Sequence, residues 1–533
     1  MQFHSFVFAA FLLVLLGAYW ALAARRSARY LLLLVGSCIF YGAFQTWYLL
    51  LILFSTALDY NCGQVLTGVR TRGRRQRALW ASLGGLAGVV GLAGALEWAP
   101  IALALIAGSG LIALTSLVDV LWGGPPPERE GEPTQQPART RKLVLWISLL
   151  GNLSLLGFFK YYDWFVESVG LVFVQLGLEP PLEVLRLVVP VGISFYTFQT
   201  LSYTIDVYRG GLRPAKNVLE FALFVSFFPQ LVAGPIVRAK EFLPQLELTP
   251  RFDRERLHEG LHRIGLGLAK KTLVADVLAI HLIDPVYSTP EQFGFWVHLA
   301  ALYGFGFQIY YDFSAYSDIA IGAAKLFGFD LPENFYTPYR SRSIREFWRR
   351  WHVTLSSWVR DYLYFPLGGS RGKESRVAFN LVLTMVVIGL WHGASSIWVV
   401  YGVCNGGLMV LERWLERRRG GGEWTTTPLK SLLAWLMSYH LITVLLLCVR
   451  GKSWDEIFGV VSVFGDSNAI DSGAWWALGF AAVVHFMPQA PVDAAHAGLK
   501  RLPTFLGGIL LGALIGYLWY RTSETPPFIY FQF

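Results

Sequence analysis

The sequence predicts an all-α protein, a polytopic transmembrane helix bundle with short re-entrant or interfacial helices, and three observations carry that reading. Composition is the first: of 533 residues, 54% are hydrophobic and 15% charged, against about 25% charged in ordinary soluble domains. Apolar segments recur from one end of the chain to the other, and basic clusters punctuate them. A soluble chain of this length needs a polar surface that this composition does not supply. That sets aside a simple globular enzyme, a disordered chain and a nucleic-acid binder.

The elements follow in order. The run from Phe6 to Ala23 ends small-x-small, as a cleaved signal would, but Arg25, Arg26 and Arg29 follow it instead of preceding it. It is expected to be a retained first span with its N-terminus outside. Further apolar stretches lie at 30–43, 46–58, 79–96, 100–121, 143–159, 187–207, 377–391, 394–414, 431–449 and 503–520. Some approach the ~20 residues of a straight span, and the shorter ones suit tilted, broken or re-entrant helices. On the order of a dozen helices is expected.

The net charge of +9, from 45 Lys and Arg against 36 Asp and Glu, needs no nucleic acid, because cytoplasmic loops collect Lys and Arg. The arginines of 70–77, the stretch 139–142 and Arg417–Arg419 are therefore expected on the cytoplasmic side. The segments between them pair into hairpins, 79–96 going out and 100–121 returning through Trp98-Ala99-Pro100. Residues 123–141 read as a disordered cytoplasmic linker. Cys38, Cys62, Cys404 and Cys448 lie far apart with no CxxC pair and are expected to pack. No long polar stretch is present, so chemistry must occur within the bundle or at its faces.

Three places could carry it. Between Arg340 and Asn380, helical spacing puts Ile344, Phe347, Trp348, Trp351, Leu355, Trp358 and Tyr362 on one face and Arg342, Arg345, Arg349 and Arg360 on another, with His352 at the border. This reads as a basic amphipathic interfacial helix. It is either an anchor for anionic lipid or a docking surface for an anionic donor, such as a phosphate-bearing coenzyme or an acidic carrier protein. Next, if Arg376 marks the surface, the apolar run to Trp391 carries His392 about 24 Å inward. An ionisable group at that depth is a functional candidate, although a neutral imidazole held by a backbone carbonyl would also fit. Third, 308–318 sets Tyr311, Asp312, Ser314 and Asp318 in an apolar region. Such groups line a wet cavity or pair with one another. The other histidines form no metal-binding spacing, and no metal site is expected.

These residues resemble the membrane-bound O-acyltransferases, in particular a bacterial branch tied to alginate O-acetylation. The matching stretches are 158–163, 190–209 (PVGISFYTFQTLSYTIDVYR), 227–235 (FFPQLVAGP), 312–322, 343–369 (SIREFWRRWHVTLSSWVRDYLYFPLGG), 390–394 and 527–533. The resemblance implies a helical bundle with a central tunnel, and acyl transfer from a cytoplasmic thioester donor toward an outside acceptor, with acetyl-CoA the expected donor and no bound cofactor. It implies catalytic roles for His392 and His352. His392 would be a general base on the acceptor hydroxyl, and His352 would position or polarise a reacting group. Arg342, Arg345 and Arg349 would then bind donor, and Tyr311, Asp312, Ser314, Asp318 and Trp391 would contact substrate or tunnel.

On this reading the chain divides into N-terminal transmembrane helices at 1–77, an inserted transmembrane hairpin with its linker at 78–141, a catalytic core at 142–430 and C-terminal transmembrane helices at 431–533. Two departures stand out: Ala315 replaces the glycine usual in the DFSGYSD stretch, and 78–140 has no counterpart. Because the insertion holds an even number of spans, it is expected to be dispensable for chemistry. The expected setting is a bacterial inner membrane. The expected partners are membrane lipid, a polysaccharide acceptor and a separate extracytoplasmic SGNH-type acetyltransferase. Peptidoglycan O-acetylation and D-alanyl transfer to teichoic acid are related alternatives, the second disfavoured by the WRRWH segment and the terminal PFIYFQF. A transporter or channel is the alternative of a different class, with His392 and 308–318 forming the path.

Overall fold

A computed structural model describes residues 3–93, 99–124, 127, 132–421, 426–462, 472–488 and isolated positions beyond, including 528 and 529. Most of the apolar run 503–520 and most of the linker between 125 and 131 lie outside the described residues. All secondary structure among the described residues is helical. Lipid cannot satisfy backbone polar groups, so helices that satisfy their own are the form an apolar chain takes there. Five helical stretches are long and apolar enough to cross a membrane, namely Tyr48–Thr67, Leu105–Trp122, Ala138–Gln175, Glu374–His392 and Pro428–Arg450, and Phe6–Ala21 and Ser472–Phe486 are shorter apolar helices. The chain divides into two compact units, Leu13–Phe252, and Gln2–Leu12 with Asp253–Phe533.

The first unit contains most of α1 (Phe6–Ala21), then α2 (Arg26–Gly42), α3 (Tyr48–Thr67), α4 (Arg72–Ala93), α5 (Ala99–Trp122), α6 (Ala138–Gln175), α7 (Ile193–Tyr208), α8 (Val218–Ser226), α9 (Phe228–Leu231) and α10 (Ala239–Glu247). Helix α3 is its centre, packed by α5, α6, α7 and α8. At its middle, fully buried Asp59 accepts hydrogen bonds from Ser148, from Asn152 Nδ2 at 2.7 Å and from Thr204 Oγ1 at 2.6 Å. Neutral donors thus tie α3 to α6 and α7, where each lost bond would leave a buried acceptor unmet.

The expected hairpin forms as α4 and α5, with its turn at 94–98 outside the described residues. It is no loose addition to its unit. Asn61 Nδ2 of α3 donates to Ser116 Oγ at 3.0 Å and to the Ile112 carbonyl at 3.2 Å, and Gly108 lets α5 approach the Phe54 ring so closely that a Cβ there would lie 2.5 Å from it. Deleting 78–140 would strip α3 of these partners. We expect the deletion to lower the yield of folded protein on size-exclusion chromatography, a cost in folding that is separate from the dispensability for chemistry expected from topology.

The second unit continues with α11 (Arg254–Ala269), wide π turns at Lys270–Ala275 and Ala279–Ile283 flanking α12 (Asp276–Leu278), then α13 (Asp284–Ser288) and α14 (Phe295–Leu326). Helices α11 and α14 pack through glycines: a Cβ on Gly322 would sit 2.6 Å from the Gly260 carbonyl oxygen, and one on Gly267 would sit 2.7 Å from that of Ala315. Gly267 thus lets α11 approach the backbone of α14 at Ala315. The π turn offers two consecutive lysines to α14. Lys270 Nζ meets Asp318 at 2.6 Å, and buried Lys271 Nζ meets Asp312 at 2.8 Å and Asp276 at 2.7 Å. Arg263 adds a 2.6 Å contact to Asp318.

Both ends of the chain close over this pair. The Ile529 amide donates to Asp312 Oδ2 at 2.7 Å, Lys271 Nζ lies 4.8 Å from the Phe528 ring centre, and His4 meets Phe528 edge-on at 5.0 Å. Burial first, and the Lys271 charge second, lower the His4 pKa to about 3. The unfolded chain therefore binds a proton near its reference of about 6.5 that the folded one refuses. This contribution to stability is complete above that pH and is lost progressively as pH falls toward 3. Thermal unfolding should show the loss, and His4→Phe should flatten it.

The remaining helices are α15 (Ile344–Trp348), α16 (Val353–Val359), α17 (Glu374–His392), α18 (Ser396–Arg418), α19 (Pro428–Leu445), α20 (Leu447–Arg450), α21 (Trp454–Ser462) and α22 (Ser472–Phe486). The single amphipathic helix expected across Arg340–Asn380 is absent. The segment breaks between α15 and α16 and turns through a π turn at Arg360–Tyr364. The break has a cause: the Tyr336 amide bonds the Arg350 carbonyl at 2.9 Å and the Val353 amide bonds that of Asn334 at 3.0 Å, which draws the chain out of the helix. The apolar face is nonetheless inside, with Ile344, Phe347, Trp348, Trp351, Leu355 and Trp358 all buried.

Candidate active site

The break places His352. It stands at the N-cap of α16 with φ +42°, a left-handed conformation that costs a non-glycine residue about 1–3 kcal/mol. Its side chain is fully buried. Nδ1 lies 3.1 Å from Asn334 Oδ1, an atom that also accepts from Thr354 Oγ1 at 2.9 Å, while Asn334 Nδ2 donates to Ser317 Oγ at 3.2 Å. With the amide oxygen receiving Nδ1–H, the basic lone pair is on Nε2. Phe313 stands perpendicular to the ring with centroids 4.9 Å apart. Burial, with His392 adding a smaller push, holds the His352 pKa well below its usual value, so the ring is neutral.

His392 is the last residue of α17, and unlike His352 it keeps part of its surface accessible. The two imidazole centroids are 6.5 Å apart. Trp391 meets both edge-on, at 4.9 Å from His392 and 5.8 Å from His352. Trp398 lies nearly parallel to His392, 5.3 Å away with a 20° interplanar angle. Glycines permit that stack. A Cβ on Gly393 would fall 2.0 Å from Trp398 Nε1, one on Gly389 would fall 2.1 Å from the Trp398 carbonyl oxygen, and one on Gly402 would fall 2.5 Å from Val386 Cα. An imidazole that takes a proton here gains from the Trp398 face and from the negative end of α17. Gly393→Ala should displace Trp398 and lower turnover about tenfold, the worth of a lost cation–π contact of about 1–2 kcal/mol. Trp398→Phe, which keeps a ring face, should lose less when both are assayed with labelled donor.

Near the pair, a cavity of about 350 Å³ carries Arg345, Arg349, Arg360 and Arg413 on its wall together with Trp348, Val353, Met385 and Ile388. Val353 follows His352 directly, and Ile388 precedes His392 by about one turn. Neither histidine lines the cavity itself. Arg345 is held by Glu416 at 2.7 Å and Glu412 at 3.5 Å, Arg360 by Asp361 at 2.8 Å and Arg413 by Glu374 at 3.0 Å. Arg349 is exposed and makes no ion pair among the described residues. Arg342 is exposed, does not line the cavity, and donates its amide to Glu346 at 2.8 Å.

The residues singled out at 308–318 fall into different settings. Asp312 and Asp318 are spent on Lys271, Lys270 and Arg263. Tyr311 Oη donates to the Ala481 carbonyl at 2.9 Å, and Ser314 Oγ faces the Tyr311 carbonyl at 3.5 Å. Among the residues named from the sequence for this site, the structure brings His352, His392 and Trp391 together. Phe313, Asn334 and Trp398 complete the surround and were not foreseen. Phe313 was within the noted stretch, whereas Asn334 and Trp398 carry no local signal. Among the described residues no three His, Cys, Asp or Glu side chains converge to hold a metal.

A helix bundle rich in apolar segments thus sets a buried imidazole beside a partly accessible one, near an arginine-walled cavity. The chain belongs to the membrane-bound O-acyltransferase (MBOAT) family, whose description matches residues 212–419, a range that includes both histidines. Among its relatives, "Probable alginate O-acetylase AlgI" of Azotobacter vinelandii is 38% identical over 62% of this chain and 66% of its own length. The peptidoglycan O-acetyltransferase of Helicobacter pylori is 34% identical over 63% and 67%, and the teichoic acid D-alanyltransferase of Streptococcus thermophilus is 32% identical over 43% and 58%. The match to the Azotobacter protein therefore spans just under two thirds of that relative.

Proposed function

We propose that the protein is an acyltransferase of a bacterial inner membrane that transfers an acetyl group from acetyl-CoA toward an exported polysaccharide of the alginate kind. The juxtaposition of His352 and His392 near the arginine-walled cavity carries the reading. Nucleotide phosphates would be drawn to Arg349 and its neighbours. The pantetheine arm would follow the apolar wall of Val353, Met385 and Ile388 toward the pair. His392 accepts the proton of the acceptor hydroxyl as its oxygen attacks the thioester carbonyl, a C–O bond forms, the C–S bond breaks, and the imidazolium returns the proton to the departing thiolate. Neutral His352, oriented by Asn334, offers Nε2 to a reacting group. A separate extracytoplasmic SGNH-type transferase would receive the acetyl group and pass it to the polymer. The relatives named for O-acetylation support acetyl over D-alanyl transfer through their greater identity and coverage. A proton or ion path is less well supported, since the carboxylates it would use are held by lysine and arginine.

Donor titration tests the cavity. Arg349→Gln should raise the apparent KM for acetyl-CoA roughly tenfold and leave kcat within about twofold, as loss of a charge-assisted contact at the mouth predicts. Arg342→Gln, outside the cavity, should leave both unchanged. Equal KM values for wild type and Arg349→Gln would remove the donor from this cavity.

A further inference from the structure

The first unit holds a basic cavity of its own, about 510 Å³, between the end of α3, the start of α4 and the loop before α8. Four cations line it, Arg70, Arg74, Arg77 and Lys216, the last paired with Glu247 at 2.8 Å. Arg70 is only 8% exposed, and its buried Nη1 has no hydrogen-bond partner. Its counter-charge, Asp119 Oδ2, is 3.8 Å away, and the same carboxylate faces Arg75 Nε at 3.2 Å. One buried carboxylate thus serves two buried guanidinium groups. A positive charge and a donor remain to be met, which is costly at such a site.

We propose that this cavity binds the phosphate headgroup of an anionic phospholipid. The missing acceptor is supplied by a phosphate oxygen that reaches Arg70, with Arg74, Arg77 and Lys216 around the rest of the headgroup. The surroundings favour a lipid source over a soluble phosphate. The cavity lies just past Thr67, the end of α3, a helix long and apolar enough to cross a membrane, and headgroups and basic residues gather where such helices end. Arg74, Arg77, Ala78 and Ala81 form one stripe of α4 at spacings of three, four and seven. The cavity wall therefore passes from charged to apolar along the helix. Beside that stripe Trp80 is 71% and Leu83 39% exposed, an apolar surface along which acyl chains can lie. The α4–α5 hairpin thereby acquires a role: it seats a lipid.

The test uses the full-length protein in neutral detergent, with thermal unfolding followed during titration by palmitoyl-oleoyl phosphatidylglycerol, by the matching phosphatidylcholine, or by sodium phosphate. Phosphatidylglycerol should raise the unfolding temperature saturably while the other two do not. The double variant Arg74→Gln/Arg77→Gln should weaken the apparent affinity roughly 30-fold, as expected for two basic side chains at a membrane surface. Both arginines are exposed and stand outside the Arg70–Asp119–Arg75 cluster, so the variant should fold, and Lys216→Gln provides an independent second probe. Equal stabilisation by phosphatidylcholine, or undiminished affinity in both variants, would overturn the site. Equal stabilisation by inorganic phosphate would overturn its assignment to lipid.

Discussion

His392→Gln is expected to insert, fold and bind donor normally while losing acyl transfer by roughly 10²-fold or more, the typical worth of a positioned general base. The carboxamide can hydrogen-bond in the same place, but it cannot carry away the hydroxyl proton as the thioester is attacked. The site makes this loss specific. His392 is only partly buried, its ring lies parallel to Trp398, and it sits at the C-terminal end of α17, and the last two features favour the charge that proton capture creates. His352→Gln should be damaging but should leave residual turnover, because that ring is fully buried and acts through its orientation by Asn334. Asn334→Ala should then resemble His352→Gln, with kcat lowered and donor KM little changed. Transfer at the wild-type rate by purified His392→Gln, measured with labelled donor, would remove the base from the mechanism.

Lys271→Met is expected to be the most destabilising single substitution in the second unit, at about 3–5 kcal/mol, the usual consequence of removing one partner from a buried ion pair. Lys271 is 1% exposed and is shared by Asp312 and Asp276, so its loss strands two carboxylates together. The Phe528 ring would lose the ammonium beside it as well, leaving the Ile529 amide on Asp312 as the remaining tie of 528–529 to this pair. Activity should fall with stability, because Phe313, the ring that walls His352, directly follows Asp312 on α14. Thermal unfolding in detergent reads the effect. Lys271→Met/Asp312→Asn should recover part of the loss by removing one stranded charge, and an undestabilised single variant would show that the pair carries no weight.

Much of the architecture was legible in the sequence because the membrane acts as a one-dimensional filter. Apolar length, helix geometry and the position of basic clusters are properties of consecutive residues, and they determined an all-helical membrane protein with a hairpin at 79–121. The place of His392 at the end of an apolar helix followed from the same arithmetic, and the Arg- and Trp-rich stretch drew attention to His352.

Only the tertiary structure decided what surrounds these groups. Asn334 reaches His352 from 18 residues away and Lys271 reaches Asp312 across 41, contacts that no local pattern encodes. The helix expected through Arg340–Asn380 was broken because hydrogen bonds to 334–336 outweigh the helical preference of Arg350–Val353. Asp312 and Asp318, expected either to line a wet cavity or to pair, are claimed by cations on α11 and its π turn. The sequence by itself determined the all-helical class, the apolar segments and which polar groups lie within them. Their partners were decided by packing, because a buried charge takes whatever counter-charge the fold brings within about 3 Å, and that choice depends on residues far along the chain.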